Sequence, residues 1–212
     1  MAKDSSLSLN RRRMPRQGRS VVTVDAIFEA TIQVLLTDGP TRLNTTRVAE
    51  RAGVSVGTLY QYFPNKQSLL LALLERHLTA LADAIEKACR ENLHAESNRI
   101  AAVVVKAYLE VIMEHAEVSP ALYFIAVDLD AGTLLDKSVQ KSVQAIEALL
   151  ASASDGYFAE RHIIAQTMTA VLFGTVPAFC MRVMPAAAGV EAERQLGMMF
   201  RSYLAAHLHG KS

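Results

Sequence analysis

The sequence predicts an all-α protein, with an N-terminal three-helix helix-turn-helix domain and a larger C-terminal helical bundle, about nine helices together. Three observations predict it. Apolar residues recur three and four positions apart along most of the chain, and no alternating strand pattern rises above that periodicity. The interruptions are helix caps and stops: Asp38-Gly39-Pro40, Ala52-Gly53-Val54-Ser55, Phe63-Pro64-Asn65, Ser119-Pro120 and Asp155-Gly156. With 51% hydrophobic and 20% charged residues over 212 positions, the chain can bury a sizeable core.

Residues 1–20 mix Ser, Arg, Gln, Gly and Pro with few apolar side chains, so nothing offsets the entropy of ordering them. They are expected to form a flexible basic arm carrying Arg11, Arg12, Arg13, Arg16 and Arg19. From Val24, the spacing of Ile27, Ala30, Val34 and Leu35 predicts a first helix, which Gly39 and Pro40 stop. Asn44 or Thr45 can cap a short second helix, with Val48, Ala49 and Ala52 inside and Gly53 as its left-handed end. Ser55 caps a third over residues 56–63, which ends because Pro64 pushes Phe63 out of helical geometry. Asn65 caps a long fourth helix from Lys66 to about Glu91, striped with Leu69, Leu70, Leu73, Leu74, Leu78 and Leu81. Further helices are expected over residues 98–115, 120–128, 133–153, 158–183 and 189–208.

Charge is divided unevenly. Residues 1–66 hold ten Lys/Arg against five Asp/Glu, and residues 67–212 hold twelve against sixteen, giving +5 and −4 and the formal net charge of +1. A basic N-terminal segment suits a polyanion, and the rest of the chain has another task. Cys89 and Cys180 lie far apart in apolar helical patterns, which excludes a disulfide framework and predicts a reducing cytoplasmic setting. No signal-like apolar segment precedes the arginines, and the apolar stretch from Ile163 to Met181 is interrupted by Gln166, Gly174 and Pro177, so no membrane span is expected.

The two short helices joined by Ala52-Gly53-Val54-Ser55 have the design of a helix-turn-helix, with glycine turning the chain and Ser55 opening the second helix. Leu59 and Phe63, four apart, pin that helix to a core. The other positions, Val56, Gly57, Thr58, Tyr60, Gln61 and Tyr62, are small or polar-tipped, as a major groove requires. Thr58, Tyr60 and Gln61 are the candidates for base-edge contact, and phosphate contacts around the helix would supply affinity.

The run from Thr45 to Lys66, TTRVAERAGVSVGTLYQYFPNK, resembles the DNA-binding signature of TetR-family transcriptional regulators, and the resemblance covers about residues 20–70. It implies phosphate contact by Thr46, Tyr62 and Lys66, and base-edge or groove contact by Val56, Gly57, Thr58, Tyr60 and Gln61, with Ser55 opening the DNA-facing set. It also implies a homodimer on a palindromic operator, cytoplasmic, with residues 1–20 as the arm, 21–66 as the DNA-binding domain and 67–212 as an effector-binding and dimerisation domain. The arginine-rich arm is longer than the leader of many relatives and could reach an adjacent minor groove.

Gly53-Val54-Ser55-Val56-Gly57 also fits the G-x-S-x-G elbow of serine hydrolases, but that motif needs a preceding strand and a helical segment stands there. No enzyme is expected. Six histidines carry no metal-ligand spacing: His207 and His209 point to different sides of a helix, and neither metal nor cofactor is expected. Tyr108, Ile112 and His115 lie on or near the face opposite Lys106, Glu110 and Glu114, and Gln166, Thr169 and Phe173 add sparse polar groups to an apolar helix. That is the composition of a site for a largely apolar small ligand, and equally of a core. Ala170, Gly174, Gly197 and Ala205 would allow close helix approach, with Leu172, Met198 and Phe200 offering apolar area, so the last two helices are the expected dimer interface. The function expected is a ligand-responsive regulator, a repressor released by the ligand. The alternative is an architectural DNA-binding protein of the same fold without an effector.

Overall fold

The computed structural model describes residues 18–114, 116–175 and 189–210. Among them are nine helices: α1 (Gly18–Arg42), α2 (Thr45–Arg51), α3 (Val56–Tyr62), α4 (Lys66–Glu91), α5 (Ser97–Glu114), α6 (Ser119–Asp128), α7 (Gly132–Ala151), α8 (Arg161–Gly174) and α9 (Gly189–His207). Two short strands, β1 (Tyr157–Phe158) and β2 (Leu208–His209), pair antiparallel. The chain divides into two compact units between Leu73 and Leu74.

In the N-terminal unit, Ile27, Val48, Ala49, Leu59 and Leu69 have no exposed surface, and the ring of Phe63 lies 5.5 Å from that of Phe28. Gly39, at φ 76° and ψ 168°, breaks the helical path of α1 where the sequence placed a stop. Segment Ser20–Gly39 has the length and mean hydropathy (1.5) of a membrane span. Its Val24, Ile27, Phe28, Ala30, Val34 and Leu35 are buried in this unit, as in the core helix of a globular domain.

In the C-terminal unit α9 packs along α5 and α7 along α8. Ile85, Ile100, Val104, Tyr108, Ile146, Leu149, Met168 and Leu204 form the centre of its core. Two loops are tied across the chain: the Asp155 carboxylate accepts from the Ser97 backbone N–H at 3.0 Å and from its hydroxyl at 2.7 Å, capping α5. Beside it the Ser152 hydroxyl accepts from His94 N–H, and Ala95 C=O accepts from Ser154 N–H. Ser138, buried on α7, donates to Leu78 C=O of α4, and Lys141 reaches Asp83 and Glu86 at 2.5 and 3.0 Å.

The structure departs from the sequence reading in two places. Helix α1 begins at Gly18, not near Val24, because Ser20 to Thr23 contain no breaker; the last three positions of the expected arm are helical. Arg19 falls in that first turn, while Arg11, Arg12, Arg13 and Arg16 lie outside the described residues. The strand pair was not anticipated, since two residues are too few to show a period, and it delays α8 to Arg161. Residues 176–188, over most of which α8 was expected to continue, lie outside the described residues.

Cys89 is buried among these helices, and burial, with the Glu86 carboxylate as the lesser cause, pushes its thiol up to about 12. In a Cys180→Ser background, the native protein should react with a disulfide reagent near pH 8 roughly a thousandfold more slowly than the unfolded chain, whose thiol has an ordinary pKa. Comparable rates in the two states would show the thiol to be accessible.

Candidate nucleic-acid interface

The α2–α3 pair is assembled from local caps. The Asn44 side chain accepts from Arg47 N–H at 2.9 Å, making Asn44, not Thr45, the N-cap of α2. At the other end Gly53 N–H donates to Glu50 C=O and Val54 N–H to Ala49 C=O, a Schellman closure that needs the left-handed Gly53 at φ 68°. Ser55 accepts from Thr58 N–H at 3.0 Å to open α3, and Phe63 at its end is extended, with φ −129° and ψ 105°. Asn65 accepts from Ser68 N–H at 2.8 Å to open α4.

With Leu59 buried, α3 exposes Gly57, Tyr60 and Gln61 and half-exposes Val56, Thr58 and Tyr62. Thr46 is exposed on α2 and Lys66 is half-exposed at the start of α4. Thr46 and Lys66 belong to the same unit as α3, on the helices that precede and follow it. Two hydroxyls of the set are already engaged. Thr58 shares a hydrogen bond with Ser55 (2.8 Å), and Tyr60 shares one with Thr45 of α2 (2.9 Å). Sequence reasoning offered Thr45 only as a cap of α2 and missed that it is buried and ties α3 to α2. It also missed two arginines, four apart on α2, that bolt α2 to α1: Arg47 pairs with Asp38 at 2.5 Å, and Arg51 donates to the Gln33 side chain at 2.7 Å. Their i, i+4 spacing was the available signal.

The ligand candidates divide. Tyr108 and Ile112 are buried in the core of the C-terminal unit, with the Tyr108 ring 5.9 Å from that of half-buried Phe173. Thr169 is buried too, its hydroxyl donating to Ala165 C=O of its own helix at 2.8 Å. Gln166 is exposed, on the opposite side of α8 from buried Ala165 and Met168, so the structure does not bring it to Tyr108. His115 lies outside the described residues.

Of the dimer candidates, Ala170 and Gly174 share an exposed stripe of α8 with Ile163, Gln166 and Thr167, and Met198 and Ala205 are exposed on α9 beside Met199 and Ser202. Gly197 is buried, and a Cβ there would stand 3.3 Å from the Arg201 guanidinium. Leu172 and Phe200, expected to add interface area, belong to the core, because helical phase turns them inward.

Residues 27–73 match the family model described as bacterial regulatory proteins, tetR family. The chain is 36% identical over 85 residues to nucleoid occlusion factor SlmA of Glaesserella parasuis, covering 40% of this chain and 39% of that one. It is 27% identical over 89 residues to the fatty acid metabolism regulator protein of Bacillus subtilis, covering 42% and 45%. The matches thus span about two fifths of the length of these curated relatives. A crystal structure of a TetR-family transcriptional regulator from Mesorhizobium loti superposes with a TM-score of 0.75 at 15% identity, over 91% of this chain and 100% of that one, which is a likeness of fold. The helix-turn-helix geometry and the family match fall on the same residues: residues 27–73 carry a helix-turn-helix of the kind found in the tetR family of bacterial regulatory proteins, within an all-helical fold shared with the Mesorhizobium loti structure.

Proposed function

We propose that this protein is a repressor that binds a palindromic operator as a homodimer and leaves it when a largely apolar small molecule binds the C-terminal unit. The observation that carries the reading is the face of α3, which holds small and polar-tipped side chains, no charge, and Leu59 as its only buried anchor. One seven-residue helix reads only a few base pairs, so two copies related by a twofold axis are needed for useful specificity. The exposed stripes of α8 and α9, with Ala170, Gly174, Met198 and Ala205, are the surface we assign to that pairing, and Gly197 is left out of it. Thr46, Tyr62 and Lys66 are assigned to phosphates, and the arginines of residues 11–19 to added affinity. For the ligand, the core around Tyr108, Ile112, Thr169 and Phe173 favours an apolar molecule with one or two hydrogen-bonding groups, and the Bacillus subtilis relative is named for fatty acid metabolism. The ligand acts through its differential affinity for the DNA-bound and released states.

Selection of DNA from a random pool, followed by gel shifts, tests the DNA reading. A palindrome is expected, with affinity falling roughly a thousandfold between about 50 and 200 mM salt if some six phosphates are contacted. Binding no tighter than to bulk DNA would refute it. A second reading, an architectural DNA-binding protein without an effector, is favoured by the name of the Glaesserella relative, a nucleoid occlusion factor. Mapping of bound sites in the cell separates them: a few operators support the repressor, and many scattered sites support the architectural role.

A further inference from the structure

Among the described residues, two polar side chains of α3 make no hydrogen bond, Tyr62 and Gln61, and of these only Gln61 is exposed. Val56 is apolar, Gly57 has no side chain, and Leu59 is buried. The Thr58 hydroxyl is bonded to Ser55 and the Tyr60 hydroxyl to Thr45, so both are held in place by the fold. Tyr62 is half-buried at the last helical position, its ring 6.5 Å from that of Phe63. Gln61 is exposed, and among the described residues it makes no hydrogen bond.

We infer that Gln61 is the specificity-determining side chain of α3 and that it reads an adenine in the major groove, an inference that rests on the regulator reading above. Its carboxamide is a planar fork with one acceptor oxygen and one amino group, and the major-groove edge of adenine offers the complement, an N6 donor beside an N7 acceptor. Guanine presents two acceptors there, so one arm of the fork would face a lone pair. Cytosine offers only a donor and thymine only an acceptor, so neither engages both arms. Guanine is the base that Arg and Lys read best, and α3 has no Arg or Lys. Val56, at the opening of the helix, is suited to a thymine methyl, and exposed Gly57, with no side chain, lets the backbone approach the base pairs. Each half-site is therefore an A·T-reading site with one adenine read by two hydrogen bonds. Thr45, Ser55, Thr58 and Tyr60 act as positioning residues that fix the helix carrying the fork.

The test compares motifs selected from a random DNA pool by the full-length wild type, Gln61→Ala, Gln61→Glu, Thr58→Val and Tyr60→Phe. Gln61 is exposed, so its variants should keep the wild-type melting temperature, which is checked first. The wild-type half-site should contain an adenine whose replacement by guanine weakens binding roughly 5- to 150-fold. Gln61→Ala should lose that one preference and keep the others. Gln61→Glu, an acceptor only, should shift it to cytosine. Thr58→Val and Tyr60→Phe should weaken all sites alike and keep the motif. A wild-type palindrome left unchanged by Gln61→Ala, or one whose Gln61-dependent base is guanine, overturns the assignment and leaves the regulator reading standing. A motif moved by Tyr60→Phe or Thr58→Val overturns the claim that their hydroxyls only position. A wild type that selects no sequence overturns both readings.

Discussion

Tyr108→Ala is expected to lower stability by about 3–5 kcal/mol and the melting temperature by about 10 °C, as removal of a fully buried aromatic does. Tyr108 has no exposed surface, packs among Val104, Val105 and Met168 in one core cluster, and faces the ring of Phe173. Alanine would leave a cavity that helices committed on their other faces cannot close. Thermal unfolding followed by circular dichroism checks it, and a loss under 1 kcal/mol would mean that the site collapses or is wet. The result also bears on the ligand. A loss of effector binding in Tyr108→Ala could reflect a damaged core, whereas Tyr108→Phe keeps the ring against Phe173 and tests the hydroxyl alone. An apolar effector that uses that hydroxyl should bind less tightly to Tyr108→Phe, with operator affinity in the absence of ligand unchanged.

Leu59→Ala should act on the other unit. Leu59 is the buried anchor of a seven-residue helix, and its truncation is expected to cost about 2–5 kcal/mol in a unit small enough for that to be a large share of its stability. Operator binding should fall below detection near 37 °C, since the recognition helix would no longer be held. Hydrogen exchange by mass spectrometry locates the damage: amides of α1 to α3 should exchange faster than in the wild type while α5, α7 and α8 keep their protection. Retained operator affinity would show that Leu59 does not hold α3 in place.

The parts legible in the sequence were those decided within a few residues. Asn44, Gly53, Ser55 and Asn65 lie next to the groups they satisfy, and the offsets of a cap or a Schellman turn are fixed by backbone geometry. The Thr45–Tyr60 bond joins residues 15 apart, and the Ser97–Asp155 cap joins residues 58 apart. Such pairings are set by how helices pack, and no local pattern announces them. Helical phase explains the mixed outcome on α8, where periodicity shows that a helix is amphipathic but not how far around it burial extends: Gln166 and Thr169 are three apart, and only Thr169 is inside. For α3 the sequence showed which side chains were polar. Which of them were already engaged became visible only with α2 in place.

The division of labour on α3 has an evolutionary consequence. Thr45, Ser55, Thr58 and Tyr60 are bound to one another in pairs, so a change at any of them disturbs the scaffold as well as the contact with DNA. Gln61 has no such duty, and if it reads a base as proposed, exchanging it alters what is read without loosening what holds the reader. A duplicated copy of this gene can therefore drift to a new operator through one exposed position while its fold remains intact. Regulators descended from it should differ at position 61 long before they differ at the hydroxyl pairs that surround it.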